Sequence, residues 1–384
     1  MSDQSAPTKT ISDFEAKLEK ADTSVAAFER DDKTFMHFLR GFLRTNPTAI
    51  PAAILVISVL GFGLIANNFL KPSTLSLVLD QVMITGVVAI AQTMIILTAG
   101  IDLAVGQVMV LCSLIMGKIA VEVVLPGFLT FAPFAADSAF AFLNIGPHLP
   151  TWVAIVIGLA CGGAMGWLNG SIVAYLKLPP FIVTLGTFGI FQALKLWYSG
   201  SQSVRVDDIE QKAPFLNFFG QRVDIGGGAY FTYGGIGLLL LAALVWYLLN
   251  RTPWGRHVQA VGDDPDSALL AGIQTNRVLV SVYAAAGVVC AMAAWFSIGR
   301  VGTINPQSFD TVNLDSITAV VIGGTSLFGG RGSIAGSVLG ALIVGVFNTG
   351  LALAGVDSYW QYFTIGVLII AAVAIDQWLR RASQ

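Results

Sequence analysis

The chain has 384 residues, of which 55% are hydrophobic and only 11% are charged, whereas a soluble domain carries about 25% charged residues. The net charge of -2 gives no basic excess, so a nucleic-acid partner is not expected. A soluble protein of this composition would expose large apolar patches, so we predict a protein that faces membrane lipid.

Residues 1–45 form the first segment, which is polar and of mixed charge. It lacks the early apolar run of a secretory signal peptide, so we predict a cytoplasmic N-terminal tail. The part from 11 to 38 fits either an amphipathic helix on the membrane surface or a plain solvated tail. A transmembrane domain is predicted to follow over residues 46–381.

Apolar runs fill most of this domain, and a run of about 20 apolar residues is long enough to cross a bilayer as a helix. We therefore predict an all-α polytopic membrane protein with about ten transmembrane helices, some of them broken by Gly. The predicted spans lie near 48–68, 74–98, 104–124, 151–176, 180–199, 231–249, 277–298, 314–328, 333–354 and 359–379. The eighth is short, and the second and third are nearly continuous.

The basic residues of short loops predict the orientation, because they remain on the cytoplasmic side. Arg40 and Arg44 precede the first span, and Arg380 and Arg381 follow the last. Both termini are therefore predicted to be cytoplasmic. Outer loops are predicted near 125–150 and 200–230, and a long cytoplasmic loop near 251–276.

Glycine recurs every fourth residue in two predicted spans, at Gly162, Gly166 and Gly170 and again at Gly332, Gly336 and Gly340. This spacing allows helix backbones to approach closely in lipid. It predicts a tightly packed bundle and says little about chemistry.

The segment 98–106 joins the second and third predicted spans almost without a polar loop. Its carboxylate, Asp102, lies between Gly100 and Gly106, which indicates a broken helix that lines a cavity. Asp102 either caps the third span or contacts the transport pathway directly.

A second break is predicted in the glycine-rich run 320–333, which also joins two spans. The pattern of a phosphate-binding loop does not occur in it, so a tight turn between helices is favoured. Near 178–187, Thr184 and Thr187 are one helical turn apart and either line a polar path or bond to their own helix.

The inner segment 252–273 carries the signature of a short helix, with Asp264 as N-cap, Pro265 at the first position and Gly272 as the stop. Its apolar stripe fits either a groove of another protein or the bilayer surface.

Four of these segments resemble those of a known protein family. AGIDLAVG (99–106), LPPFIVTLGT (178–187), WGRHVQAVGDDPDSALLAGI (254–273) and LDSITAVVIGGTSLFGGRGSIAGSVLGA (314–341) resemble the permease subunit of ATP-binding-cassette monosaccharide importers of the ribose, xylose and fructose type. The segments RVDIGGGAYFTYG (222–234) and AIDQWLRR (374–381) resemble the fructose-type permeases most. The stretch 125–150 departs from the family pattern.

The resemblance implies a multi-pass protein of the bacterial inner membrane that imports a monosaccharide, with fructose ahead of ribose, mannose or xylose. It implies a second permease subunit as homodimer partner, and two cytoplasmic ATPase subunits or one double-length ATPase. It also implies a periplasmic sugar-binding protein and contact with membrane lipid. ATP and Mg²⁺ would belong to the ATPase, so no cofactor is expected in this chain. The segment 254–273 would be the coupling helix that docks on the ATPase.

Two sets of functional residues are predicted. The substrate pathway would include Thr98, Gly100, Asp102, Gly106, Asn169, Thr184, Thr187, Asp315, Thr318, Gly324 and Thr325. Coupling to the ATPase would involve Arg256, Gly262, Asp264, Asp266, Leu269, Leu270 and Gly272.

The main alternative is an ion-coupled secondary sugar transporter, which would need carboxylates in the membrane as a proton relay. Asp102 and Asp315 are the candidates for such a relay, and both lie near span ends. A membrane enzyme is not expected, because His37, His148 and His257 all fall outside the spans and the cysteines lack metal-ligand spacing.

Overall fold

The computed structural model describes residues 48–124 and 148–381 of the chain. The predicted tail 1–45 and most of the predicted outer loop 125–150 lie outside these residues. The described part is mostly helical, as the composition predicts.

Thirteen α-helices make up most of the described chain. They are α1 (Ala49–Ile65), α2 (Pro72–Ile96), α3 (Val105–Glu122), α4 (Thr151–Leu176), α5 (Pro180–Ser199), α6 (Val206–Lys212), α7 (Tyr233–Arg251), α8 (Pro253–Asp263), α9 (Pro265–Leu270), α10 (Thr275–Val301), α11 (Val312–Ile322), α12 (Ile334–Leu353) and α13 (Ser358–Arg381). Every predicted span overlaps one of them.

Seven helices within the described residues are long and apolar enough to cross a membrane, by length and composition. They are α2, α3, α4, α5, α7, α10 and α12. The helix α1 has 17 residues and α11 has only 11. The helix α11 is shorter than the predicted span 314–328, because the chain turns at Gly323 and Gly324, and Gly324 has a positive φ of 84°.

The helix ends follow the local sequence. Pro72 and Pro180 open α2 and α5, where a missing backbone N–H costs little. The side chain of Ser333 accepts a hydrogen bond from the backbone N–H of Gly336 and so caps α12. Gly200 and Gly302 end α5 and α10 in the left-handed conformation that glycine adopts most easily.

The helix α2 lies at the centre and packs against α10, α11, α12 and α7. Side chains through its middle, such as Val87 and Ala91, have no exposed surface. The helices α1 and α7 instead present apolar side chains outward, and Leu64 is 90% exposed and Leu240 is 67% exposed. Exposed apolar rows of this kind suit contact with lipid tails rather than with water.

The glycine repeats permit the close packing that they predict. A Cβ at Gly162 or Gly166 would collide with the backbone of α10 at Gly287 or Tyr283. In the second repeat, Gly340 lies against the backbone of α11 in the same way. Dispersion contacts between closely approaching backbones stabilise helix pairs in lipid, where a hydrophobic driving force between helices is missing.

One end of the bundle, here called the hairpin end, carries a layer built from 200–232. It contains α6, a 3₁₀ helix (Pro214–Gly220) and an antiparallel hairpin of β1 (Arg222–Gly226) and β2 (Ala229–Thr232). The hairpin was not predicted, because its strands are short and its turn is a run of three glycines, all with positive φ. The backbone N–H of Tyr230 donates to Ser76 Oγ at 3.0 Å, which ties the hairpin to the start of α2.

The opposite end, here called the coupling end, carries α8 and α9 between α7 and α10. Leu97, just after the last turn of α2, lies there, because its carbonyl oxygen fills the space that a Cβ on Gly262 of α8 would need. The helix α2 therefore runs from the hairpin end to the coupling end.

Candidate functional site

The helical structure is interrupted between α2 and α3, as the glycines predict, and this interruption is here called the break. Residues 97–104 are not helical, and Ala99 has a positive φ of 59°. The backbone N–H of Gly100 donates to the Ile95 carbonyl and reverses the chain at the end of α2. A Cβ at Gly100 would lie 2.7 Å from the hydroxyl oxygen of Tyr283, so the break passes against α10 where only glycine fits.

The carboxylate of Asp102 is buried and fixes the start of α3. Its Oδ1 accepts a 2.6 Å hydrogen bond from the backbone N–H of Ala104. The Gln92 amide, oriented to match its neighbours, bonds the backbone N–H and carbonyl of Asp102 at 3.2 and 3.1 Å. Asp102 thus satisfies the buried backbone N–H of Ala104, which is itself the N-cap residue of α3, so it holds the segment before the helix and does not cap the first turn as predicted.

Two other helices reach the same break. The hydroxyl of Thr184 on α5 donates to the Ile101 carbonyl at 3.1 Å, and Asn313 Nδ2 on α11 donates to the Leu103 carbonyl at 3.3 Å. Gly106 lies against Val312 with no room for a side chain. Because carbonyls freed by a broken helix are costly in lipid, these side-chain donors stabilise the break.

Buried polar atoms without a partner lie on two of the surrounding helices. Among the described residues, the Tyr283 hydroxyl on α10 and Asn313 Oδ1 on α11 make no hydrogen bond, whereas the Asn169 amide on α4 interacts with the Asp102 carboxylate. Asn169 has no exposed surface and Tyr283 is only 1% exposed. Orphaned polar groups in a core are unusual and point to a functional or hydrated interior.

A junction of tightly packed backbones, here called the glycine junction, joins the break to the coupling end. It consists of Leu97, Ala99, Gly262, Gly329 and Gly330. The backbone N–H of Gly330 donates to the Leu97 carbonyl, and any Cβ at Gly262 would overlap that same carbonyl oxygen. Gly329, with φ of 85°, lies against Gly262 and Ala99. Backbones packed without side chains between them cannot slide independently.

The loop 323–333 supplies two members of this junction and turns tightly, as predicted. The backbone N–H of Ser326 donates to the Arg331 carbonyl at 2.9 Å and closes the turn. Next to the loop, the Thr93 hydroxyl donates to the Ser337 hydroxyl at 2.7 Å, and the Thr325 hydroxyl lies 3.5 Å from the Ser337 hydroxyl. These hydroxyls link α2, α12 and the loop.

The helices α8 and α9 form the exposed part of the coupling end. Asp264 caps α9 by accepting from the backbone N–H groups of Asp266 and Ser267 at 3.0 and 3.2 Å. The hydrogen bond from the Ser267 hydroxyl is the main cause that lowers the pKa of Asp264. Gly272, with φ of 85°, follows the helix as its stop. The predicted short helix is therefore present.

The surface around α9 is apolar and exposed. Leu270 is 90% exposed and Leu269 is 60% exposed. A cavity of about 500 Å³ opens beside them, between α8, residues 271–274 and α10, with Trp254, His257 and Arg277 in its wall. Trp254 Nε1 donates to Ser281 Oγ at 2.9 Å and fixes α8 to α10. Two exposed leucines beside a cavity suit the docking of another protein.

Comparison with known proteins identifies the family of the chain. A family model described as the permease component of branched-chain amino acid transport systems matches residues 74–373. A fructose import permease of Rhizobium meliloti is 46% identical over 384 residues, which is 100% of both chains. A ribose import permease of Bacillus subtilis (strain 168) is 33% identical over 326 residues, covering 84% of this chain and 90% of the relative.

The chain belongs to the family of import permeases that is defined by this family model and includes these relatives. A D-allose transport system permease of Escherichia coli (strain K12) is a further relative, 32% identical over 325 residues and covering 84% of this chain and 90% of its own. No solved structure matches the chain significantly. The resemblance seen in the sequence motifs is thus confirmed, and the protein is a membrane permease of the sugar-importer type.

The permease brings most of the predicted pathway residues to one place. Thr98, Gly100, Asp102, Gly106 and Thr184 form or contact the break. Gly324 and Thr325 lie in the neighbouring loop. Thr187 and Thr318 instead bond back to their own helices, at the carbonyls of Thr184 and Leu314. Their place in a pathway stays a prediction.

Asp315 lies apart from the break and borders a second cavity with residues of α2 near the hairpin end. Of the predicted coupling residues, Gly262 lies in the glycine junction, whereas Arg256 and Asp266 are exposed. Sequence reasoning missed α8 as a separate helix, missed Gln92 and Tyr283, and did not connect Asn313 with the break. The Pro253 start and the Thr252 cap were the available signal for α8.

Proposed function

We propose that this permease is the membrane-spanning subunit of an ATP-driven importer for a monosaccharide, with fructose the first candidate. The observation that carries the proposal is the glycine junction, since it links α8, which leads directly into the exposed helix α9, to the break in the core. A partner that moved α9 would move the break through rigid backbone contacts.

The proposed mechanism is alternating access. Two ATPase subunits in the cytoplasm would bind ATP and Mg²⁺, close on each other and pull the α8–α9 segments. The motion would pass from Gly262 to Leu97 and reorient α2 and α3, which opens the path toward the outside. Hydrolysis would reset the permease inward. Asp102 would hold the start of α3 throughout.

The proposed assembly is a homodimer of permeases in the bacterial inner membrane. Ten spans would place both termini in the cytoplasm, with α1, α11 and α13 completing the seven clear candidates. The coupling end would then face the ATPase, and the hairpin end would receive the sugar from a periplasmic binding protein. Arg251, Arg256 and Arg277 near the coupling end support this orientation.

A sugar is favoured over an amino acid as substrate. The matching relatives are named for fructose, ribose and D-allose, and the one named for fructose is similar over its full length. The family description names branched-chain amino acids. A zwitterionic amino acid would need a basic and an acidic partner at mid-membrane. In the described chain, the break offers Asp102, amides, hydroxyls and carbonyls instead.

The test is uptake in a bacterial strain that lacks its own fructose, ribose and leucine importers. The permease is expressed with its proposed ATPase and binding protein, and uptake of each labelled compound is measured. We expect saturable fructose or ribose uptake and no leucine uptake. Uptake of leucine alone would contradict the proposal. A strain with the permease but without the ATPase is the control.

A further inference from the structure

A cavity of about 400 Å³ lies between α2, α11, α12 and α13. It adjoins the hairpin end, since Leu77 in its wall follows Ser76, the residue of α2 that binds the hairpin. It is separate from the break and from the cavity beside α9. Its polar wall contains Gln81, Asp315, Asn348, Gln361 and Tyr362.

The polar groups are held in place and retain free hydrogen-bonding capacity. Gln81 Oε1 accepts from Thr349 Oγ1 at 3.2 Å, which leaves its amide nitrogen available. Asp315 Oδ2 accepts from Thr311 at 3.4 Å, which leaves Oδ1. Gln361 donates to the Val356 carbonyl at 2.8 Å and keeps its oxygen. The cavity therefore presents at least one fixed donor and two fixed acceptors.

Asn348 adds a third amide, and neither end of it makes a hydrogen bond to the described residues. Apolar groups complete the wall, namely Leu77, Leu353, Ile365 and the ring of Tyr362. Such a mixture of amides, a carboxylate and apolar faces matches a sugar ring, which carries hydroxyls around its edge and C–H groups on its faces.

The charge of the cavity disfavours anions and amino acids. Asp315 is the one charged side chain among the described residues that line it. An anion would meet a carboxylate with no basic group to offset it. An amino acid could place its ammonium group at Asp315, but its carboxylate would have no cationic partner. A neutral polyol needs neither.

We infer that each permease subunit holds the transported monosaccharide in this cavity, between α2, α11, α12 and α13, before it reaches the break. The inference rests on the proposed function and adds the location and the recognising residues. The volume is compatible, because small-molecule sites usually occupy about 300–1,000 Å³. Asp315 and the Gln81 and Asn348 amides bind the hydroxyls, and Tyr362 contacts a ring face.

The test is labelled fructose uptake by the whole importer in cells that carry Gln81→Leu, Asn348→Leu or Asp315→Asn. Removal of one hydrogen bond to the sugar should lower the initial uptake rate at a limiting fructose concentration about tenfold, equivalent to about 1.4 kcal/mol. The matched control is Gln202→Leu, an exposed glutamine outside the cavity wall. Permease content of the membrane and co-purification with the ATPase are measured for each variant.

Support requires that the three variants lose uptake while their membrane content, ATPase binding and the control stay normal. A changed preference between fructose and ribose in Asn348→Ser would support it further. Wild-type uptake in Gln81→Leu and Asn348→Leu would overturn the inference while leaving the proposed function intact. Loss in Asp315→Asn alone would indicate a cation site and overturn it too. Absence of sugar uptake by the unaltered permease would instead contradict the proposed function.

Discussion

Gly262 has no Cβ, and the Leu97 carbonyl oxygen fills the space that a Cβ would need. The neighbouring backbone N–H of Gly330 donates to that same oxygen at 3.0 Å. A methyl group at Gly262 would therefore push α8 away from the break and strain this hydrogen bond. The residue links α8, at the coupling end, to the core through contact alone.

The Gly262→Ala variant should keep its place in the membrane but lose most uptake, about tenfold or more, because overpacking of a rigid contact costs about 1–3 kcal/mol. Labelled fructose uptake per inserted permease is the measurement. The control is Gly186→Ala on α5, where no atom lies within 4 Å of the added Cβ. Equal uptake in both variants would exclude a coupling role for the junction.

Asp102 allows a second prediction at this scale. Asp102→Asn keeps an oxygen that accepts from the Ala104 N–H, so uptake should stay within about twofold of the original. Asp102→Ala leaves a buried donor unsatisfied at a cost of about 1–3 kcal/mol, so uptake or thermal stability should fall. If Asn and Ala variants lose uptake equally while both remain folded, the carboxylate carries a proton and the ion-coupled alternative gains support.

The sequence could predict the roles and contacts of these residues only in part. The glycines around Asp102 indicated a break because glycine tolerates positive φ and close approach. The contact of Gly262 with Leu97 joins residues far apart in the chain, and local patterns carry no signal for it. Asn313 and Gln92 were missed as bonding partners of the break for the same reason.

At the scale of elements, α9 is short, so its end groups matter. Its N-cap, Asp264, is fully exposed and has a lowered pKa because Ser267 donates to it. A carboxyl with a lowered folded-state pKa stabilises the fold above its unfolded pKa, 3.8 here, and this contribution is lost as the pH falls through the lower folded value. The cap is therefore complete throughout the neutral range.

Binding of the ATPase to the isolated permease should accordingly show no pH dependence from the titration of Asp264 between about pH 5 and pH 8. The Asp264→Ala variant, which lacks the cap, should bind more weakly across this whole range, whereas Asp264→Asn should bind normally. Pull-down of the ATPase at a series of pH values measures this. A variant-specific transition near neutral pH would contradict the assigned cap.

The exposed leucines of α9 give a sharper prediction. Leu269 and Leu270 would lie buried against the ATPase, so their replacement by Ser should abolish pull-down and uptake together, by more than about tenfold. A matched control is Leu240→Ser on α7, an exposed leucine in a membrane-spanning helix. It should retain ATPase binding. Normal pull-down with Leu269→Ser and Leu270→Ser would place the docking surface elsewhere.

Most elements could be predicted because length and hydropathy dominate in lipid. Proline starts and glycine stops placed α5 and α9 closely. The hairpin β1–β2 lacked such a signal, and α8 was missed although Thr252 and Pro253 mark its start. Their residues pack against other helices, such as Trp254 on Ser281 of α10, and those contacts depend on the folded bundle.

At the scale of the whole molecule, the described chain has two unlike ends. The coupling end carries exposed leucines and the glycine junction, whereas the hairpin end carries a structured layer and a polar cavity. The helix α2 joins the two, since Ser76 binds the hairpin and Leu97 lies in the junction. Such a layout suits a transporter that receives force at one end and sugar at the other.

Sugar transport in reconstituted vesicles tests this account most directly. The purified permease, its ATPase and its binding protein are placed in lipid vesicles with the ATPase on the inside, and labelled fructose enters from outside. We predict accumulation only when ATP is inside and the binding protein is outside, with no effect of a proton gradient. Accumulation driven by a proton or sodium gradient, without ATP or the binding protein, would contradict the account.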